Sequence, residues 1–308
     1  MEHIVIRPGR AEDEHDVQEF TRHTFDWGDY VADAYGSWVK DAAVGKGDVF
    51  VAVDMPSGKV VGVTHTRYLS PEEAWFEGIR VHPDHRREGI GRLLTTAAIE
   101  GARRRGINIC RAAIDGDNLK SQGLSRGFGF EPVVPIIQFI ADIAKFTPTH
   151  SSDLSLRDAE DADAEAVYQI VSREMSYIGS DYTWWRVTPE NVERVIGERN
   201  VRLAIDSSGQ VVAGATISDT FVDEHSDEPV LYAEISSVFG SIDGVHAIAA
   251  EYCSSAAAIA AEKGLPCMLS VICEARSSVA SVLPKHGFTE RFLEGRRDEV
   301  WLWELLLD

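Results

Sequence analysis

Apolar positions along this chain follow two periods, and the clearest switch between them lies between residues 75 and 105. Residues 75–81, Trp-Phe-Glu-Gly-Ile-Arg-Val, read as a strand. From residue 93 to 105 the apolar or small side chains Leu93, Leu94, Ala97, Ala98 and Ala102 recur at helical spacing. Other strands are expected at the start of the chain (Ile4-Val5-Ile6), at Phe50-Val51-Ala52-Val53, at 109–114 and at 230–238. An Ala-rich helix is expected over 247–263, with small residues spaced for close packing on a sheet.

The pattern repeats. Ile6-Arg7-Pro8-Gly9-Arg10-Ala11-Glu12-Asp13 is echoed by Leu156-Arg157-Asp158-Ala159-Glu160-Asp161-Ala162-Asp163. The strand, tight turn and strand at Phe50–Val53 and Val60-Val61-Gly62 return at Arg202-Leu203-Ala204-Ile205 and Val211-Val212. Arg126-Gly127-Phe128-Gly129-Phe130 returns as Pro284-Lys285-His286-Gly287-Phe288. These echoes predict two duplicated domains, 1–145 and 154–308, joined by the linker 146–153, Phe-Thr-Pro-Thr-His-Ser-Ser-Asp.

A length of 308 residues accommodates two such domains, and 44% hydrophobic with 26% charged residues is the balance of a globular protein. The sequence has no apolar run long enough to span a membrane, and its first residues carry no signal-peptide pattern, so the expected location is cytoplasmic. The four cysteines lack metal-ligand spacing and are expected to be buried free thiols. A net charge of −20 disfavours nucleic acid and anionic membranes as partners, and it favours a cationic ligand. An acidic surface of this kind fits either a salt-rich cytoplasm or an ordinary soluble surface.

Between the strand at 75–81 and the helix at 93–105 lies Arg86-Arg87-Glu88-Gly89-Ile90-Gly91-Arg92. The first amides of a helix lack internal partners and carry the positive end of its dipole, so such a place suits a phosphate. Gly89 and Gly91 would let the backbone approach an anion, with Arg86 and Arg92 adding fixed positive charge. The bland reading is an ordinary strand-to-helix turn. Neither the dinucleotide fingerprint nor the P-loop is present, because Leu94 stands where a third glycine would be needed and no Gly-Lys-Ser/Thr occurs.

The whole stretch, Glu77-Gly-Ile-Arg-Val-His-Pro-Asp-His-Arg-Arg-Glu-Gly-Ile-Gly-Arg-Leu-Leu, resembles the acyl-CoA motif of the GNAT superfamily of N-acetyltransferases. The likeness continues through Asn118 and Phe128-Gly129-Phe130-Glu131. It implies an α/β (α+β) chain of tandem GNAT folds, each a mixed, mostly antiparallel sheet flanked by helices on both faces. It also implies acetyl-CoA as co-substrate, with no metal. Residues 86–92, namely Arg86, Arg87, Glu88, Gly89, Ile90, Gly91 and Arg92, would hold the pyrophosphate. The backbone of Ile79 and Val81 would hold the pantetheine arm and polarise the thioester carbonyl. Asn118 would contact the same arm, with Ser121 one helical turn on; alternatively Asn118 is only a helix N-cap.

The resemblance also implies a carboxylate base nine positions before Arg86, which is Glu77. By alternation Glu77 would share one strand face with Ile79 and Val81. Glu77 is then a general base acting through water, a grip for the substrate ammonium, or the ion-pair partner of an arginine such as Arg67. Many family members protonate the leaving thiolate with a tyrosine four residues before the Gly-Phe pair; here that residue is Ser125, a poor acid, so Ser125, a water or no acid at all serves. His82 and His85 lack a third ligand and read as loop residues.

Acceptor contacts are expected from the segment after the first helix, where Asp26, Asp29 and Tyr30 could take a small amine or amino acid, while Tyr35 and Trp38 pack on the sheet. This segment and the motif strand also resemble vertebrate histidine N-acetyltransferase, implying a free amino acid as acceptor. A second aromatic cluster, Tyr177, Tyr182, Trp184 and Trp185, stands at the equivalent place in the second half. There the anion loop is replaced by Phe239-Gly240-Ser241-Ile242-Asp243-Gly244, without arginine and with an aspartate where phosphate would sit, so the second domain reads as degenerate. The expected protein is thus a monomeric or homodimeric acetyltransferase acting on a small-molecule amine or amino acid through a ternary complex. A protein or peptide acetyltransferase, or a non-catalytic acyl-CoA sensor, remain the other readings.

Overall fold

The computed structural model describes residues 3–22, 24, 29–144, 153–180, 182–198, 200–223, 228–293 and 296–307. The chain forms two compact units. The first comprises Met1–Val133 with Leu302–Asp308, and the second Val134–Trp301. Residues 134–145, grouped by the sequence reading with the N-terminal half, therefore lie in the second unit, and the last residues of the chain lie in the first. The expected linker falls almost entirely outside the described residues.

In the first unit, strands β1 (Ile4–Pro8), β2 (Gly47–Asp54), β3 (Val60–Tyr68) and β4 (Glu73–Val81) pair antiparallel in that order. Strand β5 (Ile109–Asp115) joins β4 in parallel, and the C-terminal strand Glu299–Leu306 lies beyond it. Alternation along β2 divides the core. Val49, Val51 and Val53 pack with Val17, Phe20, Val31, Tyr35 and Trp38 of helices α1 (Glu14–Thr21) and α2 (Val31–Ala43). Phe50 and Ala52 face the other way, onto Ile90 and Leu94 of helix α3 (Ile90–Arg104). Helix α4 (Leu119–Arg126) follows β5. The strands, the α3 helix and the packing of Tyr35 and Trp38 all follow the sequence pattern.

Arg111 of β5 is fully buried in this unit. Its Nη2 donates to Glu73 Oε1 at 2.6 Å and its Nε to Glu304 Oε2 at 3.1 Å. Glu304 comes from the C-terminal strand, so the guanidinium ties that strand to the rest of the sheet across 193 residues of sequence.

Strand β6 (Glu131–Asp142) crosses into the second unit. The second unit's strands are β7 (Ser155–Asp158), β8 (Tyr177–Ser180), β9 (Thr183–Arg186), β10 (Asn200–Ile205), β11 (Val211–Ile217) and β12 (Phe221–Asp223). They continue with β13 (Val230–Gly240), β14 (Cys267–Glu274), β15 (Thr289–Glu290), β16 (Phe292–Leu293) and β17 (Arg296–Arg297), which makes the C-terminal strand β18. Its main sheet runs β6, β14, β13, β11, β10, β7, with only β13 and β14 parallel. Helices α5 (Ala164–Glu174), α6 (Pro189–Glu198) and α7 (Ile242–Lys263) cover it. Val245, Ile248, Ala249 and Ala256 of α7 pack on Ala204, Ala213 and Ala215, where small residues on both sides permit close approach. Trp184 and Trp185 are core residues of this unit.

The repeated Arg-to-Asp spacing builds the same clamp in each unit. Arg7 holds both oxygens of Asp13 at 2.7 and 2.6 Å, and Arg157 holds both of Asp163 at 2.6 and 2.7 Å. In each, the aspartate also accepts a backbone N–H three residues upstream, from Arg10 or Glu160, at 2.8 Å. For Asp13, burial pushes the pKa up, but the Arg7 hydrogen bonds and the Arg10 amide outweigh it and hold the carboxyl below its ordinary value. For Asp163 the Arg157 hydrogen bond is the main lowering influence.

Two outcomes follow for stability. Arg111→Met leaves two buried carboxylates without their cation and should lower unfolding free energy by about 3–5 kcal/mol, read as a shifted denaturant midpoint. Because both clamp aspartates have lowered folded-state pKa values, their contribution is complete above the ordinary aspartate pKa near ~3.9 and is lost as pH falls through the folded values. Thermal melts of Asp13→Asn and Asp163→Asn should differ from wild type at pH 7 and converge toward it in strong acid.

Candidate active site

The site is built around one irregularity in β4. Gly78 has φ 65°, and the β3–β4 register slips there: His65 opposes Glu77, and Val63 opposes Arg80. Two residues of β4 thus face one of β3, which is a β-bulge. A Cβ at Gly78 would land on the Trp38 ring, so glycine is required both by conformation and by space. The bulge also breaks alternation. Ile79 and Val81 pack with Ile90 and Leu94 on the α3 face. Glu77 instead reaches His65, whose ring stacks on Trp38 of α2. The expectation that Glu77 shares a face with Ile79 and Val81 is corrected: they point to opposite faces, because a bulge shifts the two-residue period by one.

On the α2 face, Glu77 Oε1 lies 2.8 Å from His65 Nδ1, and Oε2 lies 4.0 Å from Arg67 Nη2. Glu77 keeps 19% of its side-chain surface exposed, whereas His65 keeps 1%. Tyr30, the N-cap residue of α2, sits edge-on to Trp38, and the Arg80 guanidinium lies 5.7 Å over the Tyr30 ring. The Tyr30 hydroxyl end is desolvated although the residue as a whole is exposed. Its pKa is raised by burial first and then by the Glu77 carboxylate, with Arg80 opposing. Asp29 does not offer a free carboxylate to a ligand: its oxygens take Arg80 Nε at 2.6 Å and Nη2 at 3.0 Å, and one also caps the Val31 N–H. Asp26 lies outside the described residues. Glu77 and Tyr30 are therefore brought together with His65, Arg67, Trp38 and Arg80.

The other half of the site lies at the C-terminal ends of β4 and β5. These strands pair only at Glu73–Ile109, Ala74–Cys110 and Trp75–Arg111, then separate, so one edge of β4 from Phe76 to Val81 has no strand along it among the described residues. The chain then makes a turn at Pro83–His85 and enters α3 through Gly89, which is in the left-handed region at φ 79° and caps the helix without a side-chain bond. Arg87 is left-handed as well, at φ 67°. Among the described residues the N–H groups of Arg87, Glu88, Gly89, Ile90 and Gly91 have no hydrogen-bond acceptor. A Cβ at Gly91 would meet only Leu124 Cδ2 at 3.6 Å and Ile79 Cδ1 at 4.0 Å, ordinary contacts, so the chain itself does not demand glycine there.

Arg86, Arg87, Glu88 and Arg92 are exposed around this bend. Arg86 Nε reaches the Val81 carbonyl at 3.4 Å, and the Arg92 guanidinium lies 5.0 Å over the Phe128 ring. Glu88 sits 3.3 Å from His85 Nδ1, and the His82 ring caps the Asp84 amide. Asn118 is the N-cap of α4, its Oδ1 accepting the Ser121 N–H at 3.1 Å; Ser125 lies half-buried in that helix. Among the described residues no group of three or more His, Cys, Asp or Glu side chains is arranged to hold a metal ion.

The second unit has the same scaffold with different groups at this place. Ser237, at φ 47°, occupies a bulge in β13 like that of Gly78, and there Ser236 and Thr216 stand where Glu77 and His65 stand in the first unit. Strands β13 and β14 remain paired up to Ser236–Ile272, two positions further than the matching pair in the first unit, and part only at the bulge. The Gly240 amide is taken by Glu174 Oε2 at 2.8 Å, and Ser241 caps α7 through the Gly244 N–H at 3.2 Å. Its first helical turn carries Asp243 and no arginine.

Sequence reasoning missed His65 and Arg80. His65 carries no motif and meets Glu77 through the hairpin register of β3 and β4, while Arg80, inside the quoted stretch but given no role there, is set beside Tyr30 by the bulge. Only the glycine in the strand at position 78 hinted at it.

The fold is that of the N-acetyltransferases. A GCN5-related N-acetyltransferase from Sphaerobacter thermophilus superposes with a TM-score of 0.63 at 16% identity, over 99% of this chain and 96% of that one. A tandem GNAT protein from the clavulanic acid biosynthesis pathway superposes with a TM-score of 0.57 at 16% identity, over 98% of each chain. Residues 13–130 match the acetyltransferase (GNAT) family, which places that segment in the family. The L-methionine sulfoximine/L-methionine sulfone acetyltransferase of Pseudomonas paraeruginosa is 34% identical over 99 residues, 30% of this chain and 55% of that protein. Its Pseudomonas aeruginosa PAO1 counterpart is 37% identical over 91 residues, 27% and 50% of the two chains. The chain spans about half the length of these relatives. No helix among the described residues is long and apolar enough to cross a membrane.

Gly78→Ala should force the bulge or the Trp38 ring to move, costing about 2–4 kcal/mol of stability in a thermal or denaturant melt. Gly91→Ala should melt at or slightly above wild type, since alanine favours the helix and meets only ordinary contacts.

Proposed function

We propose that this protein transfers the acetyl group of acetyl-CoA to a primary amine of a small molecule or amino acid, directly and within a ternary complex. The observation that carries the reading is the unsatisfied row of amides from Arg87 to Gly91, opening a 15-residue helix beside a split in the sheet. Amides of this kind stabilise a pyrophosphate, and the exposed Arg86, Arg87 and Arg92 add countercharge within an otherwise acidic protein. The unpaired edge of β4 around Ile79 and Val81 gives the pantetheine arm backbone groups to pair with, and it places a donor for the carbonyl oxygen as negative charge develops. Asn118 and Ser121 border the same end of the split.

Glu77 accepts the amine proton, directly or through one water, and releases it to solvent. The amine attacks the thioester carbonyl, the C–N bond forms, and the C–S bond breaks to release CoA thiolate. With Ser125 in place of a phenol, the thiolate takes its proton from that hydroxyl or from water. Tyr30 and Arg67 border Glu77 and shape the acceptor side. The relatives named for methionine sulfoximine and methionine sulfone support a small amino-acid-like acceptor.

Free-thiol release from acetyl-CoA with a panel of amino acids, methionine sulfoximine, polyamines and an N-terminal peptide tests the reading. Acetyl-CoA binding without thiol release toward any amine would favour a sensor instead. Glu77→Gln should lower kcat by about 10²–10⁴-fold with little change in acetyl-CoA affinity by calorimetry. Gly91→Ala and Arg86→Ala should each weaken acetyl-CoA about tenfold, the latter less at high salt.

A further inference from the structure

We propose that His65 is a positioning residue for Glu77: it holds one carboxylate oxygen so that the other is presented, ionised, to the acceptor amine. This rests on the acetyltransferase reading above. His65 and Glu77 are direct cross-strand partners beside the bulge, with Nδ1 and Oε1 2.8 Å apart. The imidazole cannot turn away. It is 1% exposed, and its face stacks on Trp38 at 4.6 Å and 11°. Its far edge is crowded by Gly47, where a Cβ would stand 2.9 Å from Nε2.

The tautomer follows from the same environment. Nε2 is buried and has no hydrogen-bond partner. An N–H placed there would be an orphan donor, and on an imidazolium a charged one, whereas a bare lone pair costs least. The ring proton therefore sits on Nδ1, and His65 donates to Oε1 of an ionised Glu77. Oε2 forms a long ion pair with Arg67 Nη2 at 4.0 Å without a hydrogen bond, and an ammonium or its bridging water can reach it through the 19% of the Glu77 side chain left exposed. The pair is not general to the scaffold: Thr216 and Ser236 stand at the corresponding places in the second unit.

The test compares full-length wild type, His65→Leu, His65→Gln and Glu77→Gln. The first readout needs no turnover: ¹⁵N-edited NMR of the imidazole should find Nδ1 protonated and Nε2 bare in wild type, with the Nδ1–H signal displaced in Glu77→Gln. The second is the split between kcat and KM. His65→Leu should lower kcat at least tenfold and change the acceptor KM less than threefold, because the carboxylate is no longer held in place. His65→Gln, which retains an N–H, should recover part of the loss. Calorimetry should find acetyl-CoA affinity unchanged in all of them. A ring protonated on Nε2, or a folded His65→Leu with kcat within twofold, overturns the proposal. If Glu77→Gln also leaves kcat intact, the base assignment fails with it; if only His65→Leu does, Glu77 keeps its role and the positioning alone is wrong.

Discussion

The bulge at Gly78 is the constraint on which the first unit's chemistry depends. A regular β4 would carry Glu77, Ile79 and Val81 on one face, with the carboxylate among apolar groups against α3. One extra residue reverses that parity, sending Ile79 and Val81 into the α3 core and Glu77 to the α2 side, where His65, Arg67 and Tyr30 surround it. The position is held by sterics, because only a residue without a side chain fits under the Trp38 ring. Strand β4 leaves β5 after Trp75, just before the bulge, so the bulge lies along the freed edge.

The two units make a natural comparison, since both keep the bulge and the helix that follows it. What differs is the charge at the bend and the length of the strand pairing. The first unit sets Arg86, Arg87 and Arg92 around the bend before α3, whereas the second has Asp243 in the first turn of α7 and no arginine from Phe239 to His246. Glu174 takes the Gly240 amide, Ser241 takes the Gly244 amide, and β13 stays paired with β14 up to the bulge. Carboxylates at that end of the helix oppose an anion there. The Arg-Asp clamps, by contrast, are the same in both halves, because they anchor the start of the first helix and serve the fold alone.

Much of the fold is legible in the amino-acid order. Alternation places the strands around Val51 and Val63, the Leu93-to-Ala102 spacing gives α3, and the repeated Arg7–Asp13 motif announces duplication. The glycine-capped start of α3 was readable too, because a helix cap is a local event within a few residues. The structure adds what local spacing does not contain. Asp29 looked available to a cation and is occupied by Arg80, 51 residues away. Asn118 caps α4, as its place after a strand suggested. The unit boundaries also differ from a simple cut at the polar stretch, since Glu304 returns to Arg111 in the first unit.

The sequence by itself determined the local features: the strand ending at Val81, the glycine-bearing bend and the start of α3. Only the tertiary structure decided which side chains meet. Pairing across strands depends on register. The turn between β3 and β4 makes partners of a histidine and a carboxylate 12 residues apart, and the bulge beyond them turns Ile79 and Val81 to the other face; neither is written in the two-residue period.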